Sequence, residues 1–214
     1  MVTLDAHISR ALRRTGIEVP QDGIRLFGEY LRLLERWNQT YNLTAVRHGE
    51  EMIDRHVIDS LTILPWVRGP RVLDVGSGAG LPGIPLAIAG PAVQMVLLDS
   101  NIKRVRFLRQ VVLELGLANI SVVRCRVEDY QPEVLFDSVV ARAFAPLPEL
   151  LRGAGRLCHD RGRVLAMKGM YPASELADLP SEYRIEGVYR LHMPGLDAER
   201  HLIHCAPNVP PRDN

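Results

Sequence analysis

The sequence predicts an α/β protein: a mostly parallel sheet covered by helices on both faces, closed by an antiparallel strand pair and preceded by a helical extension. Three observations predict it. Apolar residues recur at helical spacing up to about residue 65; from Arg71 onward short β-branched runs alternate with helical segments; and the first of those runs enters a glycine-rich turn. The expected ranges are 1–66 for the helical extension, 67–206 for the sheet domain and 207–214 for a flexible tail. With 214 residues, 47% hydrophobic and 24% charged, the chain builds one principal core and is neither disordered nor fibrous.

In the extension, Ile24, Phe27, Leu31 and Leu34 recur at helical spacing, with Tyr30 and Trp37 beside them. A second helix starts near Glu50 and buries Ile53, Val57, Leu61 and Leu64. On it Ser60 lies near the edge of that stripe, His56 at its flank, and Arg55 with Asp59 farther round. Pro65 and Gly69-Pro70 end this part. Val72 to Val75, Val93 to Leu98, Ile120 to Val123, Ser138 to Ala141 and Val164 to Met167 are then parallel strands, buried on both faces. Residues 183–191 and 199–205 form the closing pair, joined through a Pro194-Gly195 turn, and Pro207, Pro210 and Pro211 mark a frayed tail.

Composition removes several function classes. The longest apolar runs fall far short of the roughly 20 residues of a membrane span, and no apolar secretory stretch is present, so a cytoplasmic protein without membrane association is expected. Cys125, Cys158 and Cys205 are an odd number without CxxC spacing, which points to buried inert thiols rather than disulfides or a metal site. Of 26 basic residues only Lys103 and Lys168 are lysines, a hint that a compact point charge is wanted there. Residues 101–126 carry Lys103, Arg104, Arg106, Arg109, Arg124 and Arg126 against the single acid Glu114, either a solvated helix face or an anion-facing surface.

The strongest motif is Val72-Leu73-Asp74-Val75-Gly76-Ser77-Gly78-Ala79-Gly80, followed by Leu81-Pro82-Gly83: a buried strand running into a sharp turn and a helix, where a nucleotide-like ligand docks. Gly78-x-Gly80-x-x-Gly83 matches a dinucleotide spacing as a string. Counted from Gly76, the first glycine after the strand, the pattern is G-x-G-x-G with Leu81 where the dinucleotide fingerprint wants glycine. Asp74 would repel a pyrophosphate yet suits, directly or through water, the ammonium of S-adenosylmethionine (SAM). Asp99 ends the second strand, where a carboxylate accepts both ribose hydroxyls of an adenosine. Each acid has a purely structural alternative, Asp74 as a helix cap and Asp99 as a cap on the helix near Asn101; in this order they favour SAM, and with it a class I SAM-dependent methyltransferase of Rossmann-like fold. Glu128-Asp129, after the third strand, is either the adenine contact or a solvated turn. The expected cofactor contacts are Asp74, Gly76, Ser77, Gly78, Gly80, Leu81, Asp99, Ser100, Val127, Glu128, Asp129 and Arg142.

After the fourth strand the sequence reads Ala141-Arg142-Ala143-Phe144-Ala145-Pro146, without the Asn/Asp-Pro-Pro-aromatic motif of exocyclic-amine methylation or a Pro-Cys nucleophile. An acceptor already nucleophilic when neutral, such as guanine N7, needs only positioning. Arg142 offers a planar fork for guanine O6 or a phosphate, or else pairs with Asp137 or Asp74. His56 either touches RNA or hydrogen-bonds Asp59 or Ser60, and Phe144 either stacks on a flipped base or joins the core. The readings in competition are an NAD-dependent oxidoreductase, for which no acid/base pair stands out, a SAM methyltransferase acting on another RNA or a small molecule, and a non-catalytic SAM- or RNA-binding module.

The stretches Trp37-Asn38-x-x-Tyr41-Asn42-Leu43-Thr44-Ala45-Val46-Arg47 and Arg55-His56-Val57-Ile58-Asp59-Ser60-Leu61 resemble the bacterial RsmG (GidB) 16S ribosomal RNA guanine-N7 methyltransferases. The likeness continues through the glycine turn, Phe136-Asp137-x-Val139-x-x-Arg142-Ala143-Phe144-Ala145, Met167-Lys168-Gly169 and Glu199-Arg200-His201-Leu202, spanning residues 30 to 204. The resemblance implies methyl transfer from SAM to a guanine N7 in a decoding-region loop of small-subunit rRNA, by a monomer that acts on 16S rRNA or the small subunit and not on DNA. It implies functional roles for Arg142 and Lys168 at the catalytic site, and places Asn42, Thr44, Arg47, Arg55, His56, Asp59 and Arg200 toward the RNA.

Overall fold

The computed structural model describes residues 3–47, 49–193 and 198–208. Two helices open the chain. Helix α1 (Leu4–Thr15) starts at Thr3, whose hydroxyl accepts the Ala6 N–H, and stops at left-handed Gly16; α2 (Gly23–Tyr41) stops at left-handed Asn42. Next come α3 (Gly49–Met52), a π-helical turn (Ile53–Ile58) and α4 (Asp59–Leu61), which run on into one another. The Asp59 N–H reaches back five residues to the Asp54 carbonyl.

That wide turn corrects the apolar stripe expected on this helix. A period of 3.6 puts Asp59 well away from the core, whereas the π turn slips the register and buries His56, Asp59 and Ser60, with Asp59 only 1% exposed. The carboxylate tolerates burial because two arginines pair with it.

The sheet follows the expected alternation except between its third and fourth strands, which a loop without a helix joins. Its strands are β1 (Arg71–Val75), β2 (Gln94–Asp99), β3 (Ile120–Arg124), β4 (Phe136–Arg142), β5 (Cys158–Lys168), β6 (Tyr183–Arg190) and β7 (His201–Pro207), in the spatial order β3-β2-β1-β4-β5-β7-β6. The first five are parallel, and β7 runs antiparallel to β5 and β6 on either side of it. The helices between them are α5 (Gly83–Ala89), α6 (Ile102–Leu115), α7 (Leu147–Ala154) and α8 (Ala173–Ala177). The expected Pro194-Gly195 turn and the prolines at 210 and 211 lie outside the described residues. Pro207 is not the start of a frayed tail: it is the last residue of β7, and the Asn208 N–H still bonds the Glu182 carbonyl.

Alternate strand residues feed two cores, one on each face. Val72, Leu97, Val140, Leu165 and Leu202 pack with α1, α2, α5 and α6, while Leu73, Leu98, Val139, Val164 and Ile203 pack with α7. The N-terminal helices therefore share one core with the sheet. Phe27 and Tyr30 of α2 are fully buried in it, each worth about 1.5–3 kcal/mol by area. Tyr30 also donates its hydroxyl to the Ala79 carbonyl (2.8 Å), fastening the extension to the glycine turn. Among the described residues, no helix is long and apolar enough to cross a membrane.

Candidate active site

The glycine turn leaves β1 at Val75. Both Gly76 and Ser77 N–H groups donate to the Leu98 carbonyl at the end of β2, and the Ser77 carbonyl accepts the Gly80 and Leu81 N–H groups. Gly76 has φ +67° and faces the Phe144 ring, so a Cβ there would be strained and in collision. Asp99, 4% exposed, accepts Gly78 N–H on one oxygen (2.9 Å) and Asn101 N–H on the other (2.8 Å). The first of these oxygens, Oδ2, also takes Arg104 Nη1 (3.5 Å), so Oδ1 is the one that keeps a further lone pair. Gly76, Asp99, Ser100, Val127, Glu128 and Phe144 line a cleft of about 310 Å³ at the carboxyl edge of the sheet.

Several expected cofactor residues lie behind this cleft rather than on it. Asp74, Ser77 and Leu81 are buried. The Asp74 carboxylate accepts the Gly83 N–H at the start of α5 (3.0 Å), and its other oxygen has no partner in the protein. Gly78 and Gly80 shape the turn, and Asp129 is exposed outside the lining. Arg156, which sequence reasoning missed, donates to the carbonyls of Val127, Glu128 and Tyr130 and so fixes the loop that closes the cleft. Cys125 corrects the expectation of three buried thiols: it is half-buried and lines the cleft, whereas Cys158 and Cys205 are buried, their thiol pKa values pushed up to about 12. The left-handed glycines, the spare acceptor on Asp99 Oδ1 and the apolar Val127 in the lining fit the adenosine end of SAM.

A second pocket of about 370 Å³ adjoins the first. Arg55, His56, Asp59, Arg142, Lys168 and Arg200 contribute to its walls. Ala143 lines both pockets and holds φ +50°, a left-handed conformation rare outside glycine. This kink at the end of β4 turns Arg142 toward one pocket and Phe144 toward the other. The Phe144 ring, 38% exposed, lies over Gly76 and is no part of the core.

Arg142 pairs with neither Asp137 nor Asp74. Its Nη1 donates to Asp59 Oδ2 (2.8 Å) and to the Arg55 carbonyl (3.0 Å), while Arg200 Nε takes Asp59 Oδ1 (3.0 Å). Asp137 is engaged at the opposite end of the strand with His159 and the Arg71 N–H. Lys168 donates to Glu175 (2.7 Å) and to the Ala145 carbonyl (2.9 Å), and the same Glu175 oxygen takes the Leu147 N–H. Glu175 was missed because nothing local marks a helix acid as the partner of a strand lysine.

His56 bonds neither Asp59 nor Ser60. Its Nδ1–H donates to the Arg55 carbonyl (2.9 Å), and Nε2 accepts the Thr44 hydroxyl (2.9 Å). The Thr44 N–H in turn donates to the Asn38 side chain. Asn42 and Arg47 stay exposed and, with Asn38, line a separate pocket of about 270 Å³ at the end of α2.

Two buried groups set opposite pH trends. Burial and the Arg142 charge push the His56 pKa down to about 4, so the ring is neutral in the folded chain. Below about pH 6.5 the unfolded chain gains a proton the folded one refuses, and stability falls toward pH 4. Burial lifts the Asp74 pKa to about 7, against hydrogen bonds and Arg142, which lower it. Between about pH 4 and 7 the unfolded chain ionises this acid first, so stability falls as pH rises, by at most about 4 kcal/mol. Asp74→Asn keeps an acceptor for Gly83 and removes this loss. Its melting temperature relative to wild type should rise from pH 5 to pH 8; an unchanged difference would disprove the assignment.

Comparison with known proteins decides the lineage. Residues 24–203 match the family GidB, rRNA small subunit methyltransferase G. The chain belongs to this family. It is 52% identical over 200 residues to the ribosomal RNA small subunit methyltransferase G of Nitrosococcus oceani, covering 94% of each chain. Among solved structures, it superposes on the glycopeptide N-methyltransferase MtfA complexed with S-adenosyl-L-homocysteine with a TM-score of 0.61 at 10% identity, over 71% of this chain and 87% of that one. TrmN from Thermus thermophilus gives a TM-score of 0.56 at 21% identity over 81% of this chain, which spans about half, 52%, of TrmN. These likenesses establish the class I SAM-dependent methyltransferase fold, and the family GidB, rRNA small subunit methyltransferase G, makes the chain an enzyme of that class.

Proposed function

We propose that the chain transfers the methyl group of SAM to N7 of a guanine in a decoding-region loop of 16S rRNA, acting as a cytoplasmic monomer. The observation that carries this reading is the shared wall at Ala143: a cleft suited to adenosine opens beside a pocket bearing Arg55, Arg142, Lys168 and Arg200. SAM, when bound, supplies a methyl carbon activated by a positive sulfur. Guanine N7 carries no proton, so no side chain need act as a base, and the neutral His56 is consistent with that. Arg142 has spent Nη1 on Asp59 and the Arg55 carbonyl, which leaves its other donors for guanine O6 or a neighbouring phosphate. Lys168 retains one of three N–H donors. Alkylation at N7 makes the base cationic, and the buried Asp59 carboxylate offsets charge that builds up in this pocket. In an A-form helix the N7 edge lies in a groove too deep for side chains, so the base enters unpaired or extruded. In this reading residues 1–66 serve the 67–206 domain by supplying Arg55, His56 and Asp59.

Labelled SAM should methylate small-subunit rRNA, and borohydride followed by aniline should then cut it at one guanine. Label on an exocyclic amine would refute the reading. Asp99→Ala should lose hydrogen bonds worth about 1.5–3 kcal/mol and weaken SAM binding about tenfold or more. Unchanged affinity by calorimetry would place the ribose elsewhere.

A further inference from the structure

The β6–β7 edge carries basic and aromatic residues that the pockets do not use. Along β7, Leu202 and His204 point to the same side as Arg200, the side of Asp59 and the N-terminal helices. Leu202 is opposite Tyr189 of β6, and His204 is opposite Leu165 of β5, two residues beyond Arg163. The Tyr189 ring, 36% exposed, packs on Trp66 with centroids 5.1 Å apart. Arg163 donates to the Trp66 carbonyl (3.0 Å), and its Nε is buried without a hydrogen-bond partner. Arg68 is exposed nearby, its backbone clamped on both sides to Ser138 Oγ. From the acceptor pocket, then, the side runs from Arg200 to an aromatic pair and on to Arg163, His204, Arg68 and Arg184.

This end of the row is electropositive. Burial and then the Arg68 charge lower the Arg163 pKa, and His204 is pulled down by burial and by Arg163, Arg68 and Arg184 in turn. Glu186 opposes them, but Arg184 Nε already holds it at 2.7 Å. Cations gathered beside a tilted aromatic pair, its ring planes 45° apart, match a nucleic-acid strand, with phosphates on the arginines and bases on the rings. Arg200 to His204 is about 13 Å at the rise of a strand, within reach of the nucleotides next to one held in the pocket.

We propose that this side of the edge hairpin binds a single-stranded stretch of the same RNA, stacking bases on Tyr189 and Trp66 and holding phosphates with Arg68 and Arg163. The proposal rests on the RNA reading above. Steady-state methylation of small-subunit rRNA by Arg68→Glu and Tyr189→Ser tests it. KM for RNA should rise about tenfold in each, with kcat within about twofold and SAM affinity unchanged. Arg68→Glu should also flatten the logarithmic salt dependence of RNA binding by about one, which loss of stability would not do. Tyr189→Phe, which keeps the ring, should behave as wild type; should Tyr189→Ser fail to fold, Arg68→Glu decides. Unchanged KM and salt slope in Arg68→Glu, with wild type methylating RNA, would overturn the strand-binding surface and leave the proposed activity standing. A wild type that binds SAM but methylates no RNA would overturn both. Displacement of RNA from this surface by a polyglutamate peptide, at equal charge concentration and equal affinity, would assign it to an acidic protein and overturn the proposal.

Discussion

Arg142→Ala is expected to slow methyl transfer by about a hundredfold or more, the usual cost of removing one pre-positioned donor aimed at the reacting group, while changing SAM affinity little. Arg142 faces the acceptor pocket and does not line the cofactor cleft, and its guanidinium is aimed by two acceptors that substrate does not provide, Asp59 and the Arg55 carbonyl. Arg142→Lys should rescue little, because an ammonium cannot hold both acceptors and also present a second donor edge to a planar base. Single-turnover methylation and SAM calorimetry on the same preparations separate the two effects. A rate within about twofold of wild type, under about 0.5 kcal/mol of barrier, would move the acceptor site elsewhere.

Asp59→Ala should be the costliest change to stability outside the apolar core. It strips the shared carboxylate from two arginine side chains that are only 22% and 25% exposed. Breaking a buried pair by removing one partner costs about 3–5 kcal/mol, and partial exposure of the arginines argues for the lower end. For a chain of this size, about 3 kcal/mol corresponds to roughly 6–12 °C in melting temperature. Asp59→Asn, which keeps one acceptor oxygen, should lose less. Catalysis should fall in both variants even below their melting points, because Arg142 and Arg200 lose their common anchor. An Asp59→Ala protein that melts within about 2 °C of wild type would show that the arginines find other partners.

The sequence by itself determined the order and type of the main elements, the glycine turn and the position of Asp99. These are local properties: strand runs such as Val164 to Met167 are short and apolar on both faces, and only glycine tolerates the backbone at Gly76 beside Phe144. The signature stretches around Tyr41 to Thr44 and Arg55 to Leu61 were also legible, but as a likeness, without showing what their side chains touch. Thr44 proves to hold the His56 ring rather than stand free for a ligand.

Only the tertiary structure decided the charge partners. Asp59 meets Arg142 and Arg200 across 83 and 141 residues of sequence, and Lys168 meets Glu175 on α8. Hydrophobic periodicity reports where a side chain prefers to sit when unpaired, so it puts a carboxylate in solvent; pairing removes that preference and lets Asp59 sit in the interior. The π turn beneath it and the left-handed Ala143 escape the sequence for a related reason. Both are local costs, offset by contacts with strands far along the chain, and no short window of residues contains both sides of that balance.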